Sequence, residues 1–468
     1  MSAPMLANWI KNQKLKAPTM KDAPTFYRNL EEALDVRRRD HGLYTIKTSI
    51  WKTDDGVDFS SNDTLSLGAS GRLRAEFEQE LKCHPNVPIG ASGSRIMDGN
   101  SDYLEMVEKE IAQFHGAETG LMISSGFEAN LAIFAAIPRS GDAIVYDDLV
   151  HASTHDGMQQ CQAILKIPFR HNDVESFRDV LISICDSQPL IKQGKRCILV
   201  AVESLYSMDG DVCPLKELVE VAREIFPRGN AQFLIDEAHS TGVIGPNGAG
   251  LVCELGLEKE ISIRLHTFGK ALATSGAIIL GNQTIKTALT NLARPFIYTT
   301  APAFPMVAAV RSGYNLMKRH ETKTAQENVQ YLVKHFFKLI TSNSTWAEAT
   351  ARGILDVPLS LAWEERDFVT HIVPIWTRTR HSYWLAFHLN FHKFCAFPVE
   401  YPTVAKGQSR LRLSFHASNT ELQVEDLVSA ICEWAEEMIK IEDGEANGNK
   451  IPRAARQVYE WMGDESVD

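Results

Sequence analysis

The chain has 468 residues, enough for two or three domains at roughly 150 residues each. Apolar residues make up 44% and charged residues 23%, which excludes disordered, collagen-like and coiled-coil classes. With 48 Lys plus Arg against 59 Asp plus Glu, the net charge is −11, so no nucleic-acid partner is expected.

The eight cysteines contain no C-x-x-C pair, which gives neither a zinc motif nor a disulfide framework; no metal is expected, and the thiols read as free. No run of 18 apolar residues suggests a membrane span, and the first twenty residues lack the continuous apolar core of a secretory leader. The expected compartment is therefore the cytoplasm.

Taken in order, residues 1–58 read as an N-terminal arm with a helical segment. From residue 59 a short apolar run, a turn and a helical pattern recur. The runs are Gly120-Leu-Met-Ile-Ser124, Ala143-Ile-Val-Tyr146, Cys197-Ile-Leu-Val-Ala-Val202, Gln232-Phe-Leu-Ile-Asp236 and Gly276-Ala-Ile-Ile-Leu280. Such nearly continuous apolar strands suit a mostly parallel sheet covered by helices on both faces. Leu104, Val107, Ile111 and Phe114 recur at 3-4-3 spacing, with Gly116 where a C-terminal cap belongs. Pro214 stands at the first turn of a helix over 215–226. Long helices follow over 304–341, then strands at 371–376 and 410–415 and a helix over 420–441. The expected division is a large α/β domain at 59–310, a smaller α+β domain at 311–441, and a linker and tail at 442–468.

Four stretches carry chemistry. Ile235-Asp-Glu-Ala-His-Ser-Thr-Gly242 puts Asp236 and His239 at the carboxyl end of a buried strand, where open α/β sheets hold ligands. Leu265-His-Thr-Phe-Gly-Lys-Ala271 sets Lys270 among small and hydroxyl residues, as an aldehyde cofactor needs. Ser124-Ser-Gly-Phe-Glu-Ala-Asn130 is a strand, a tight turn and a helix start, suited to a phosphate. His151 offers a ring able to stack on a flat ligand. Singly, each has a plain alternative: a capping aspartate, a solvated lysine, an ordinary strand–helix turn, a surface histidine.

In this order the stretches resemble the fold-type I pyridoxal-phosphate enzymes, and among them the α-oxoamine synthase family. Further matching segments are Phe59-Ser-Ser-Asn-Asp63, Gly90-Ala-Ser-Gly-Ser-Arg95, Glu203-Ser-Leu-Tyr-Ser-Met-Asp-Gly-Asp211, Ile297-Tyr-Thr-Thr300, Tyr401-Pro-Thr-Val404 and Arg410-Leu-Arg412. The resemblance implies an aminotransferase-like large domain and pyridoxal 5′-phosphate as cofactor. Lys270 is implied as the Schiff-base lysine and the base for the Cα proton. Asp236 would partner the pyridine nitrogen, His239 and Ser207 the ring oxygen, and His151 would stack on the ring. Gly126, Phe127 and Thr267 fall on the phosphate side. Thr299 and Thr300 would reach the phosphate of a partner subunit, which implies a homodimer with shared active sites. Arg412 would grip the amino-acid carboxylate, with Asn62 and Thr403 also on the substrate side.

The implied reaction condenses an amino acid with an acyl-CoA or acyl-carrier thioester, with loss of carbon dioxide, to an α-amino ketone. Within the family the likeness is nearest to 8-amino-7-oxononanoate synthase of biotin synthesis, which joins alanine to a pimeloyl thioester. The alternative is a relative that offloads a longer acyl or polyketide chain onto an amino acid. A rival of another class is an inactive regulatory subunit, which would be expected to lack Lys270. Two departures fall on the substrate side: Thr64-Leu-Ser66 stands where the family shows Tyr-Leu-Gly, and Asp102-Tyr103 where a His is frequent.

Overall fold

The structure is a computed structural model describing residues 12–39, 42–44, 46, 56–401 and 403–462. It contains two compact units, one of Asn62–Tyr331 with His416–Ser418, the other of residues up to Ser61, Leu332–Phe415 and the chain from Asn419.

The first unit is built on a seven-stranded sheet. Its spatial order is Thr119–Ile123, Ala277–Gly281, Ile263–Thr267, Ala231–Asp236, Ile198–Glu203, Ala143–Asp147, Leu165–Phe169. Only Ala277–Gly281 runs against its neighbours. Alternation along one strand shows why both faces are covered. Ile198, Val200 and Val202 join a core with Phe177, Leu181 and Leu218. Leu199 and Ala201 point the other way, into a core with Ile133, Phe134 and Leu234. All six residues of that strand are buried, so its apolar run has no solvent face to alternate with. Each buried Val, Leu or Ile contributes about 1.5–3 kcal/mol by leaving water.

The expected helix over 104–114 spans Asp102–Phe114; Ser101 caps its start, Oγ accepting from the Leu104 N–H at 3.3 Å. Gly116 follows with φ +63°, the left-handed turn that glycine tolerates best. The helix expected over 215–226 spans Leu215–Ile225, with Pro214 as the capping residue at its first turn. The helical stretch at 304–341 is two helices, Phe304–Lys318 and Lys323–Thr341, broken where His320 takes φ +60°.

Two strands of this sheet were not expected. Leu165–Phe169 is a half-exposed edge strand, the one position where Pro168 costs no ladder bond. Ile263–Thr267 is interrupted in sequence by Arg264 and His266, yet both are buried. Arg264 Nη1 donates to the His115 carbonyl at 2.7 Å, and His266 Nδ1 lies 2.9 Å from Thr241 Oγ1. Polar residues in a central strand are stable when so partnered.

The second unit holds a four-stranded antiparallel sheet in the order Phe397–Val399, Arg410–Ser414, Ile372–Thr377, Leu355–Asp356. Glu421–Glu442 packs on it through Leu427, Ile431 and Trp434, and starts with a Thr420–Gln423 capping box. Val57–Asp58 pairs with Phe394–Cys395, the Thr25–Arg39 helix lies in the N-terminal arm, and Arg453–Met462 is a terminal helix. No helix among the described residues is long and apolar enough to cross a membrane.

Candidate active site

Parallel strands of the first unit end around a cavity of about 380 Å³. This is where an open α/β sheet leaves room for a ligand, because each strand turns away into its helix. Asp236, Glu203 and Thr267 close their own strands, while His151 and Ser125 stand in the turns that follow theirs. Lys270 comes from the short connection between Ile263–Thr267 and the reversed strand. That connection is tied by backbone bonds from Phe268 N–H to the Gly276 carbonyl at 3.0 Å and from Thr274 N–H to the Phe268 carbonyl at 2.9 Å. The lysine therefore projects from a fixed point.

At one end the side chains are ionisable. Asp236 Oδ1 accepts from the Ala238 N–H at 3.0 Å, and Oδ2 from Asn130 Nδ2 at 3.1 Å. Glu203 lies beside it in register on the next strand and is buried. Its Oε1 accepts from the His151 N–H at 2.5 Å. Burial, and then the charge of Asp236, push the Glu203 carboxyl up to about 8, with Lys270 opposing. Burial holds the His151 imidazole below its ordinary value, against the pull of Asp236. His151 Nδ1 lies 2.9 Å from Ser153 Oγ, and its ring stands edge-on to Phe127 at 6.3 Å.

The other end is neutral. Ser125 caps the Gly126–Ala136 helix, Oγ accepting from the Glu128 N–H at 3.2 Å. A Cβ on Gly126 would lie 2.4 Å from Thr267 Cγ2, so only glycine lets the helix start this close to the strand. Thr267 Oγ1 is buried with no hydrogen-bond partner among the described residues. An orphan hydroxyl beside the positive end of a helix fits a phosphate group. The residues present thus fit pyridoxal phosphate, with an anion site at one end and a carboxylate at the other.

The cavity brings together Lys270, Asp236, His239, His151, Ser207, Gly126, Phe127, Thr267 and Asn62. Thr299 and Thr300 follow the Arg294–Ile297 helix and do not line it. Arg412 and Thr403 belong to the second unit. Arg412 is buried mid-strand, Nη1 donating to Ser414 Oγ at 3.0 Å, and burial lowers its guanidinium to about 10. Thr403 is exposed, its hydroxyl 3.5 Å from Tyr44 Oη. Glu203 and Asn130 are site residues that sequence reading assigned no role. Their only signal is position, one at a strand's end and the other one helical turn past the Gly126 start.

Residues 54–431 match the family described as aminotransferase class I and II. The chain belongs to that family. An aminoacyl transferase sphA of Aspergillus fumigatus is 57% identical over 454 residues, covering 97% of this chain and 96% of the relative. An 8-amino-7-oxononanoate synthase of Emericella nidulans is 41% identical over 424 residues, covering 90% and 99%. Among solved structures, a serine palmitoyltransferase from S. paucimobilis with PLP and myriocin bound has a TM-score of 0.68 at 25% identity, covering 82% of this chain and 88% of that one. An 8-amino-7-oxononanoate synthase from Francisella tularensis gives 0.62 at 25% identity, covering 82% and 98%. Both likenesses lie among the α-oxoamine synthases of fold-type I, the family its motifs resemble.

Proposed function

We propose that this enzyme condenses an amino acid with an acyl thioester longer than pimeloyl, with loss of carbon dioxide, to give an α-amino ketone. The convergence of Lys270, Asp236, Glu203 and His151 on one cavity, with a phosphate-fitting helix start opposite, carries the reading. Pyridoxal phosphate, when bound, supplies the sink for the electron pair released at Cα. Lys270 holds the cofactor aldehyde and later takes the Cα proton at Nζ. Asp236 would pair with the ring nitrogen and hold its proton. His151 stacks on the ring, while His239 and Ser207 hold the ring oxygen. Gly126, Phe127 and Thr267 seat the phosphate, and Arg412 takes the substrate carboxylate with a two-pronged guanidinium. Asn62 and Thr403 serve the substrate side.

A donor other than pimeloyl is supported by 57% identity to the aminoacyl transferase against 41% to the oxononanoate synthase. The departure at Thr64-Leu-Ser66 falls on the same side. The second reading, alanine plus a pimeloyl thioester, is supported by alignment over 99% of the E. nidulans enzyme. A panel of amino acids against short, dicarboxylic and long acyl thioesters, on CoA and on carrier protein, decides between them by thiol release. Long donors should be preferred by roughly tenfold or more, a discrimination that a few methylenes can supply. Fastest release with pimeloyl-CoA and alanine would establish the second reading, and no thiol release with any pair would end both.

Thr299 and Thr300 support a homodimer in which each chain completes its partner's phosphate site. Lys270→Ala chains mixed with chains bulky at both threonines should regain activity on subunit exchange. Mixtures that stay inactive after exchange would sink the shared site.

A further inference from the structure

We propose that His171, held between the carboxylates of Asp147 and Asp211, is a positioning residue that locks together the two loops bringing His151 and Ser207 to the cavity. The proposal rests on the cofactor reading above, since both loops are assigned there to the pyridoxal ring.

His171 follows the edge strand and does not itself line the cavity. Its Nδ1 lies 2.8 Å from Asp147 Oδ1 and its Nε2 2.7 Å from Asp211 Oδ2. Carboxylates only accept, so both ring nitrogens donate and the ring carries both protons. Burial works against that charge, but the bonds to Asp147 and Asp211 prevail and raise the imidazole to about 10. The clamp is thus closed across the neutral pH range.

Each carboxylate governs one loop. Asp147 is fully buried, and its Oδ1 also accepts the Leu149 N–H at 2.9 Å, fixing the turn that delivers His151. Asp211 closes a small hairpin: Tyr206 N–H donates to the Asp211 carbonyl at 3.1 Å, Gly210 N–H to the Tyr206 carbonyl at 2.8 Å, and Leu205 bridges Val212. Ser207 rides on that hairpin. Asn172 repeats the crosslink, its N–H reaching Asp147 Oδ2 and its Nδ2 reaching Asp211 Oδ2, both at 2.8 Å. The Tyr206 ring meets the imidazole edge-on at 4.5 Å. One cation therefore ties the end of a core strand to the hairpin that carries Ser207. Without it, Asp147 remains a buried carboxylate held by N–H donors, and the Ser207 hairpin loses its ionic tie to the strand end.

The test uses the full chain titrated with pyridoxal phosphate, read by visible absorbance and dissociation constant. His171→Gln should fold cooperatively yet bind the cofactor about tenfold more weakly, with a displaced visible band. In a Ser207→Ala background the same change should have less than half that effect, because the loop then carries no hydroxyl to misplace. A lowered melting temperature with unchanged affinity and spectrum would reduce His171 to a fold staple and overturn the proposal. Equal effects in both backgrounds would overturn it too. Should His171→Gln fail to fold, Asp211→Asn, at a side chain 28% exposed, carries the same readouts. It should displace the band in the same direction, and an unmoved band overturns the proposal. A wild-type chain that binds no pyridoxal phosphate would instead overturn the cofactor reading, and this proposal with it.

Discussion

At one end of the cavity Asp236, Glu203, His151 and Lys270 gather four ionisable groups, while at the other Ser125, Gly126 and Thr267 contribute none. The two ends must therefore fail in different ways. The charged end depends on which groups carry protons, so changes of equal volume discriminate there. The neutral end depends on space and backbone donors, so a single added carbon discriminates there.

Four single substitutions, one of them also combined with Thr267→Ser, sharpen that contrast. Lys270→Ala should abolish thiol release, by at least about four orders of magnitude, and remove the visible cofactor band, because among the described residues no other lysine lines the cavity to bond the aldehyde. A rate near wild type would remove Lys270 from the chemistry. Asp236→Asn keeps the volume and removes the charge. It should still bind cofactor while the rate falls by about a thousandfold, the scale of losing one electrostatic stabiliser. An unchanged rate would mean that the ring nitrogen is held elsewhere.

At the neutral end, Gly126→Ala drives a methyl to 2.4 Å from Thr267 Cγ2. Overpacking of this kind costs about 1–3 kcal/mol of folding stability, and cofactor titration should show weaker binding. Adding Thr267→Ser removes the opposed methyl and should recover part of it; no recovery would place the strain elsewhere. The smallest effect is expected from Glu203→Gln. Glu203 holds its proton below about 8 and loses it above, which sets a second anion beside Asp236. Wild-type activity should thus fall as pH rises through about 8. The glutamine variant cannot ionise, so it should stay within about threefold at pH 7 and lose that alkaline limb. A limb that persists in the variant belongs to another group.

The contrast also marks what the sequence disclosed. The neutral end was legible because a strand, a glycine and a helix start are contiguous in the chain. Asp236 and Lys270 were legible through their flanking motifs, and the apolar runs of the sheet through their lack of any polar face. The Ile263–Thr267 strand was not, because Arg264 and His266 break its pattern and find partners only in the folded chain. Glu203 was missed as a site residue for a related reason. Its proximity to Asp236 and its grip on the His151 N–H arise from register between strands, not from anything adjacent in sequence.

The strand order has a consequence for biosynthesis. Among the described residues, Thr119–Ile123, from which the Ser125–Gly126 turn hangs, has one sheet neighbour, Ala277–Gly281. Roughly 150 residues separate the two, and at about 5–20 residues per second the ribosome needs roughly 8–30 s to supply the second after the first. Until then the Ser125–Gly126 turn has no neighbouring strand to fix it against Thr267. Nascent chains ending before residue 277 should fail to retain pyridoxal phosphate, so cofactor capture must follow release of most of this unit from the ribosome tunnel.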